Sequence, residues 1–227
     1  MTNAVIRKVL AAVAAVFFTV TGAWALTIET TTDMYGHTFS YYIDQTRGAT
    51  IVRADNYRSF SGPVALPATC GGQNVIAVDE GAFAGCTGLT AVILPNSVEE
   101  IGDYAFANCT SLKTVDMGDG VVTIANGQPN MSGNGANTHD PDTYYQSGAF
   151  GNCINLESVT FSESLITLGA HAFSECYALK SVELPDSLQT MGVNCFYHNT
   201  SLGSVKFGTD LVTLGACSFY NCPELQS

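Results

Sequence analysis

The hydrophobic residues of this chain recur at a fixed spacing over most of its length. Leucines are separated by 23, 44, 23, 23 and 23 residues, at Leu89, Leu112, Leu156, Leu179, Leu202 and Leu225. Phenylalanines follow the same schedule, at Phe83, Phe106, Phe150, Phe173, Phe196 and Phe219. Two independent columns therefore define the same 23-residue unit and the same 21-residue insertion. Tandem units of this length predict a solenoid whose coils stack on one another.

Each unit contains two apolar segments that predict two short strands. The first has the pattern L-x-x-V-x-[LMF], as in Leu179, Val182 and Leu184, where apolar residues two apart suit a strand with one buried face. The second is a shorter apolar pair, such as Leu188 and Met191. A single coil cannot hide these side chains, so only the stacking of neighbouring coils buries them.

The rest of each unit predicts a tight corner. The segment after each phenylalanine, such as 106–109, suggests a short helical or 3₁₀ turn rather than a long helix. Glycines follow most of the second apolar pairs, and we expect them in turns with positive φ: Gly102, Gly169, Gly192 and Gly215. The predicted fold class is a β-rich solenoid with short strands and short helical or 3₁₀ corners.

The chain ahead of the regular units has a different pattern. Residues 26–62 alternate apolar and polar positions, which predicts a small N-terminal β cap. The solenoid is expected to span 63–227, beginning with a divergent unit that is lengthened around 70–74. A loop inserted at 125–147, rich in Gly and Asn, interrupts it.

Residues 1–25 have the pattern of a secretory signal peptide. Arg7 and Lys8 precede an apolar core, and an A-x-A cleavage site ends at Ala25. The rival interpretation is a membrane anchor, but the apolar run is interrupted and falls short of the roughly 20 residues that a span needs. We therefore expect cleavage after Ala25 and a secreted or cell-surface protein.

The charge balance bears on possible partners. The chain has 8 Lys and Arg against 20 Asp and Glu, and two of the basic residues lie within 1–25. Such an acidic surface repels phosphate backbones, and the basic patches that bind nucleic acid or anionic lipid are missing. No later apolar run reaches spanning length, so we expect no nucleic acid partner and no membrane span in the mature chain.

The unit resembles the BspA-type leucine-rich repeat. The resemblance rests on LKSVELPDSL at 179–188, followed by Gly192 and Phe196, and on the corner sequence IGDYAFANCT at 101–110. It covers roughly residues 63–227. It implies an exported protein, often of a host-associated microbe, that adheres to host matrix proteins or other cells. It implies no catalytic residues.

Cysteines form a third column, three residues after each phenylalanine except at Asn199. Its members are Cys86, Cys109, Cys153, Cys176 and Cys222. Stacked side chains leave Cβ atoms about 5 Å apart, wider than the about 3.8 Å of a disulfide, so we expect buried free thiols. Cys195 and Cys217 lie in neighbouring coils and could pair, and Cys70 could be free or intermolecular. No zinc-binding spacing and no oriented base are present, so neither a cofactor nor catalysis is expected.

Two surfaces are candidates for partner binding. Solenoids bind along extended faces, and the outward strand positions form two rows. One row is Lys113, Glu157, Lys180 and Gly203, and the other is Asp116, Thr160, Glu183 and Lys206. In the inserted loop, Tyr144 and Tyr145 would anchor a partner if the loop binds one. The simpler interpretation is a flexible loop without a binding role. Asp140 and Asp142 match no known calcium-loop spacing.

These features predict a secreted or cell-surface module that binds extracellular or cell-surface proteins and acts in adhesion rather than in catalysis. The alternative is a non-catalytic structural spacer of a larger exported protein. The sequence ends at 225–227, at the opening of a new strand. We therefore expect either a longer protein or end-to-end self-association through an uncovered last coil.

Overall fold

A three-stranded cap precedes the coils. The computed structural model describes residues 28–44, 46–54, 60–126 and 148–226, so the predicted signal peptide and nearly all of the inserted loop lie outside it. The first strands are β1 Ile28–Thr32, β2 Thr38–Asp44 and β3 Gly48–Ala54. They pair antiparallel in the order β1-β2-β3. The alternating pattern therefore correctly predicted a β cap.

Six coils follow, each with a first strand and a second strand. The first strands are β4 Ser61–Ala65, β7 Gly88–Ile93, β9 Thr114–Asp116, β11 Ser158–Thr160, β13 Ser181–Glu183 and β15 Ser204–Lys206. The second strands are β6 Gln73–Val78, β8 Glu100–Ile101, β10 Thr123–Ile124, β12 Thr167–Leu168, β14 Thr190–Met191 and β16 Thr213–Leu214. In the lengthened first coil, β5 Thr69–Cys70 pairs antiparallel with β6. The repeat therefore folds as a β-solenoid.

The second strands form one sheet that includes the cap. From β8 to β16 they pair in parallel and in register, so that Thr123, Thr167, Thr190 and Thr213 stand side by side. At the other end β6 pairs in parallel with β3, which continues the sheet into the cap. Because the antiparallel cap ends this ladder, the N-terminal coil is covered rather than left as an open edge.

Stacked phenylalanine rings form the centre of the core. Neighbouring rings from Phe83 to Phe219 have centroids 4.9 to 5.6 Å apart, with interplanar angles of 3° to 8°. Phe106 and Phe150 are separated by the insertion, yet their rings stack at 5.0 Å. The coils on either side of the inserted loop therefore pack directly against each other.

The corners are hydrogen-bonded turns, and the expected short helical or 3₁₀ segments do not form in the described coils. In the second coil the Ala107 amide donates to the Tyr104 carbonyl, whereas the alternate amides donate to the next coil. Phe106 N lies 2.7 Å from Ala149 O, and Asn108 N lies 2.9 Å from Gly151 O. In a helix, successive amides bond to carbonyls of the same segment. Because alternate amides here bond to the neighbouring coil, the corner cannot form a helix.

In most corners two positions, two residues before and two after the phenylalanine, adopt the left-handed backbone. They account for every positive φ outside glycine in the described chain: Tyr104, Asn108, Asn152, His171, Glu175, Asn194, His198, Cys217 and Asn221. Asparagine tolerates this region better than most residues, which explains its frequency here. These two kinks on either side of the ring turn the chain through the corner.

The glycines after the second strands do not have positive φ, contrary to the expectation for Gly102, Gly169, Gly192 and Gly215. Their role is close approach between coils. A Cβ on Gly169 would overlap the Ala125 carbonyl, and one on Gly192 would overlap the Ala170 backbone. Glycine is required there because the neighbouring backbone occupies the space of a side chain.

A buried carboxylate joins the cap to the first coil. Asp33 Oδ1 accepts hydrogen bonds from the amides of Tyr35 and His37, each 2.9 Å long. The His37 ring contacts both elements, with Nδ1 3.1 Å from Asp33 Oδ2 and Nε2 2.9 Å from the Ser61 carbonyl oxygen. The same ring stacks on Phe60 with centroids 4.1 Å apart. The β1–β2 turn is thereby fixed to β4.

Candidate protein-binding face

The outward side chains of the first strands form three parallel rows, which we call the first-strand face. Between the two rows expected from the sequence lies a row of small hydroxyls, at Thr114, Ser158, Ser181 and Ser204. In β9 and β13 the central valine is buried and both flanking residues are exposed. Since Ser204 and Lys206 share β15 with the inward Val205, strand alternation places both on the outer side.

The residues predicted for this face are brought together as expected from the register. Ser158 to Thr160 pair with Thr114 to Asp116, and Ser181 to Glu183 pair with Ser204 to Lys206. In the predicted rows, Asp116 therefore stands beside Thr160, and Glu183 stands beside Lys206. Contacts join the other row in the same two pairs of coils, Lys113 with Glu157 and Lys180 with Gly203. The predicted Tyr144 and Tyr145 lie outside the described residues.

Two exposed ion pairs link neighbouring coils on this face. Lys113 Nζ lies 3.7 Å from Glu157 Oε1, and Lys206 Nζ lies 3.3 Å from Glu183 Oε2. All four side chains are more than half exposed. Exposed pairs of this kind contribute about 0 to 1 kcal/mol, so the charges remain available to a partner.

The first-strand face holds every lysine and arginine of residues 60–226, namely Lys113, Lys180 and Lys206. Asp116, Glu157 and Glu183 balance them on the same face. Elsewhere on the coils, Glu100 pairs with Arg47 of the cap across 3.6 Å. Within residues 60–226, the first-strand face is where lysines and carboxylates occur together, and such a surface can pair with both signs of charge on a partner.

The hydroxyl row was not singled out from the sequence, although a signal for it exists. Ser or Thr stands two residues after the leucine in the four coils from Leu112 to Leu202, always one position before the inward valine. Alternation along a strand would have assigned this position to the outer surface. The row places small hydrogen-bonding groups between the longer charged side chains.

The cysteines of the column are buried from Cys86 to Cys176, and Cys222 is partly exposed. Each of them after Cys86 donates a hydrogen bond to the phenylalanine carbonyl of the preceding coil. Cys109 Sγ lies 3.2 Å from Phe83 O, and Cys153 Sγ lies 3.3 Å from Phe106 O. All cysteines of the described residues are free, as expected for the column, and Cys195 and Cys217 are not paired. Burial raises the pKa of the Cys153 thiol to about 12. A thiol held neutral in this way is a poor nucleophile.

The described residues contain no group of three or more His, Cys, Asp or Glu side chains that could hold a metal ion. No helix among them is long and apolar enough to cross a membrane.

Comparison with known proteins agrees with the repeat. The model of the BspA type leucine rich repeat region matches residues 58–130 and 140–227, in 6 copies, which is more than half of the chain. The crystal structure of the T. pallidum leucine-rich-repeat protein TpLRR is similar at 26% identity, over 83% of this chain and 88% of that chain, with a TM-score of 0.61. A leucine-rich-repeat protein from Eubacterium ventriosum ATCC 27560 shares the fold at 18% identity, over 80% of this chain and 49% of that one, with a TM-score of 0.53. No curated protein matches the chain.

Proposed function

Because the chain belongs to the BspA-type leucine-rich-repeat family, we propose that it is an exported module that binds extracellular or cell-surface proteins through its first-strand face. Proteins of this family are typically exported or surface-associated. The observation that carries the proposal is the set of exposed polar rows, whose members stand in register in the strand pairs β9–β11 and β13–β15. An extended face of this kind is the surface that solenoids use for binding.

Export is the first part of the proposal. It rests on the pattern of residues 1–25, which lie outside the described structure. N-terminal sequencing of the protein recovered from the outside of expressing cells should give a chain that begins at Leu26. Recovery of the intact N-terminus, or retention inside the cell, would contradict export by this signal.

Adhesion is the second part. We expect the purified chain to bind at least one immobilised matrix protein from a panel that includes collagens, laminin, fibronectin and fibrinogen. The combined variant Lys113→Ser, Lys180→Ser and Lys206→Ser should bind at least about tenfold more weakly, because the face loses its cations. The structural-spacer alternative predicts no specific binding to the whole panel.

A matched control separates the face from the net charge. The combined variant Ser164→Glu, Gln189→Glu and Thr213→Glu changes the net charge by the same amount at exposed positions away from the first-strand face. It should bind the partner as the parent does. Equal weakening of both variants would show that overall charge, not this face, determines binding.

Self-association is a second candidate function, favoured by the apolar surface of the last coil. Phe207, Val212 and Leu214 are 46%, 84% and 53% exposed. Large exposed apolar residues close together are typical of association surfaces. Light scattering of residues 26–227 should show a concentration-dependent dimer, which Val212→Glu abolishes. A monomer at all concentrations would contradict the proposal.

A further inference from the structure

A cluster of aromatic side chains lies on the corners of the last three coils, on a different side of the solenoid from the first-strand face. We call Tyr177, Tyr197, His198 and Tyr220 the corner cluster. The rings of Tyr197 and Tyr220 stack with centroids 5.6 Å apart and 9° between their planes. His198 packs edge-on against Tyr197 at 5.4 Å and against Tyr177 at 6.0 Å. The four rings are therefore continuous.

The corner cluster is not required by the repeat. In the first four coils the residues equivalent to Tyr197 and Tyr220 are small: Ala84, Ala107, Gly151 and Ser174. The coils there have the same phenylalanine stack, so a large ring at this position is not needed for folding. Tyr220 is 61% exposed and Tyr177 is 36% exposed. Exposed aromatic groups that the core does not use indicate a contact surface.

The electrostatic surroundings of the corner cluster are acidic. Glu175 accepts a hydrogen bond from the Tyr177 hydroxyl at 3.1 Å, which holds its carboxylate beside Tyr177 at one side of the cluster. The corner segments 171–178, 194–201 and 217–224 contain Glu175 and Glu224 but no lysine or arginine. A cation from a partner would meet aromatic rings and a carboxylate here, with no lysine or arginine of these segments competing for them.

We propose that the corner cluster binds an arginine-containing segment of a partner protein, as a contact separate from the first-strand face. Arginine fits this chemistry because its planar guanidinium packs against aromatic rings while its fork of N–H donors pairs with a carboxylate. Lysine provides the charge without the planar fork, so it binds less well. The guanidinium packs on the corner cluster and donates to Glu175, which lies beside Tyr177.

The test uses three labelled 12-residue peptides of Gly and Ser, with four positions occupied by arginine, lysine or citrulline. Fluorescence anisotropy with the mature chain should give the tightest binding for arginine, weaker binding for lysine and none for citrulline. Tyr197→Ser and Tyr220→Ala should each weaken arginine-peptide binding about threefold or more, since a cation–π contact at an exposed site has this size. Glu175→Gln should weaken it as well.

The controls keep the outcome decisive. Tyr197→Ser and Tyr220→Ala introduce residue types already present at this position in other coils, and circular dichroism confirms folding before binding is measured. Tyr35→Ala removes an exposed tyrosine in the cap and should leave binding unchanged, as should the triple lysine variant of the first-strand face.

Equal binding of arginine and citrulline peptides, or full binding by Tyr197→Ser and Glu175→Gln, would overturn the proposal. Binding of a neutral oligosaccharide that depends on the same tyrosines, without arginine-peptide binding, would also overturn it.

Discussion

The side-chain amide of Asn199 donates a hydrogen bond to the carbonyl of Phe173 across 3.0 Å. Cysteine thiols make the same contact in other coils, as Cys222 does to Phe196 at 3.2 Å. Asn199 also accepts a hydrogen bond from the Cys176 amide through its Oδ1 at 2.7 Å. Asn199, which stands where the other coils have cysteine, therefore keeps the hydrogen bond to the phenylalanine carbonyl and adds a second hydrogen bond between coils.

Asn199→Ala should destabilise the chain by about 1 to 3 kcal/mol, because it leaves the buried Phe173 carbonyl and Cys176 amide without partners. Asn199→Cys should cost less, since the thiol restores the contact to Phe173. Urea unfolding followed by circular dichroism measures both. If Asn199→Ala and Asn199→Cys unfold at the same urea concentration as the parent, these hydrogen bonds do not stabilise the stack.

The phenylalanine stack predicts a larger effect. Phe173→Ala and Phe106→Ala should each lower the free energy of unfolding by about 3 to 5 kcal/mol, because each removes a fully buried ring and leaves a cavity between two neighbours. Phe207→Ala is the matched control, since that ring is 46% exposed, and it should cost much less. A thermal midpoint of Phe173→Ala within a degree or two of the parent would contradict stacking as the basis of the fold.

The left-handed corner positions predict a stabilising change. Glu175 has a φ of 59°, where a non-glycine side chain is unfavourable. Glu175→Asn introduces the residue found at the equivalent position in three other coils and should raise the thermal midpoint slightly. Gly192→Ala should instead lower it, because the new Cβ overlaps the Ala170 backbone. Differential scanning calorimetry of the two variants tests both signs, and a Gly192→Ala protein as stable as the parent would refute the close-approach role.

The buried thiols predict a loss of stability at alkaline pH. Burial raises the pKa of Cys86, and equally that of Cys195, from the ordinary 9.0 to about 12. The folded state therefore keeps these protons while the unfolded chain loses them. The stabilisation is complete below about pH 9 and is lost as the pH rises toward about 12. The thermal midpoint in the presence of reductant should fall steadily over this range.

Native thiol labelling provides the companion measurement. At pH 8 iodoacetamide should modify the exposed Cys217 first and leave Cys109 and Cys176 unreacted, because both are buried and burial raises their pKa well above the ordinary value. Cys217→Ser should remove the fast reaction. Rapid native labelling of Cys109 would contradict the buried column.

Most of the fold could be predicted from the sequence, because a solenoid repeats one set of contacts. The spacing of Leu179, Val182 and Leu184 already determines which side chains face inward, and neighbouring coils reuse it. The corners were harder, since their turns depend on amides shared between coils, such as Phe106 N with Ala149 O. The expectation for Gly169 was wrong for the same reason. The sequence of a single coil suggests a turn with positive φ, whereas the close approach of the Ala125 backbone becomes visible only when two coils are stacked.

The candidate face was predictable in its outline but not in its detail. Strand alternation places Lys113, Glu157 and Glu183 outside, and the register brings them into rows. The corner cluster could not be found in this way. Tyr177 and His198 lie at different positions of different coils, and their contact depends on how the coils stack.

Hydrogen exchange on a complex with the matrix protein that binds tests the central claim most directly. We expect slower exchange on binding in the first-strand segments 112–117, 156–161, 179–184 and 202–207, with unchanged exchange in the second-strand segments 165–168 and 188–191. Protection of the second-strand segments, with the first-strand segments unchanged, would contradict the claim that this solenoid binds proteins through its first-strand face.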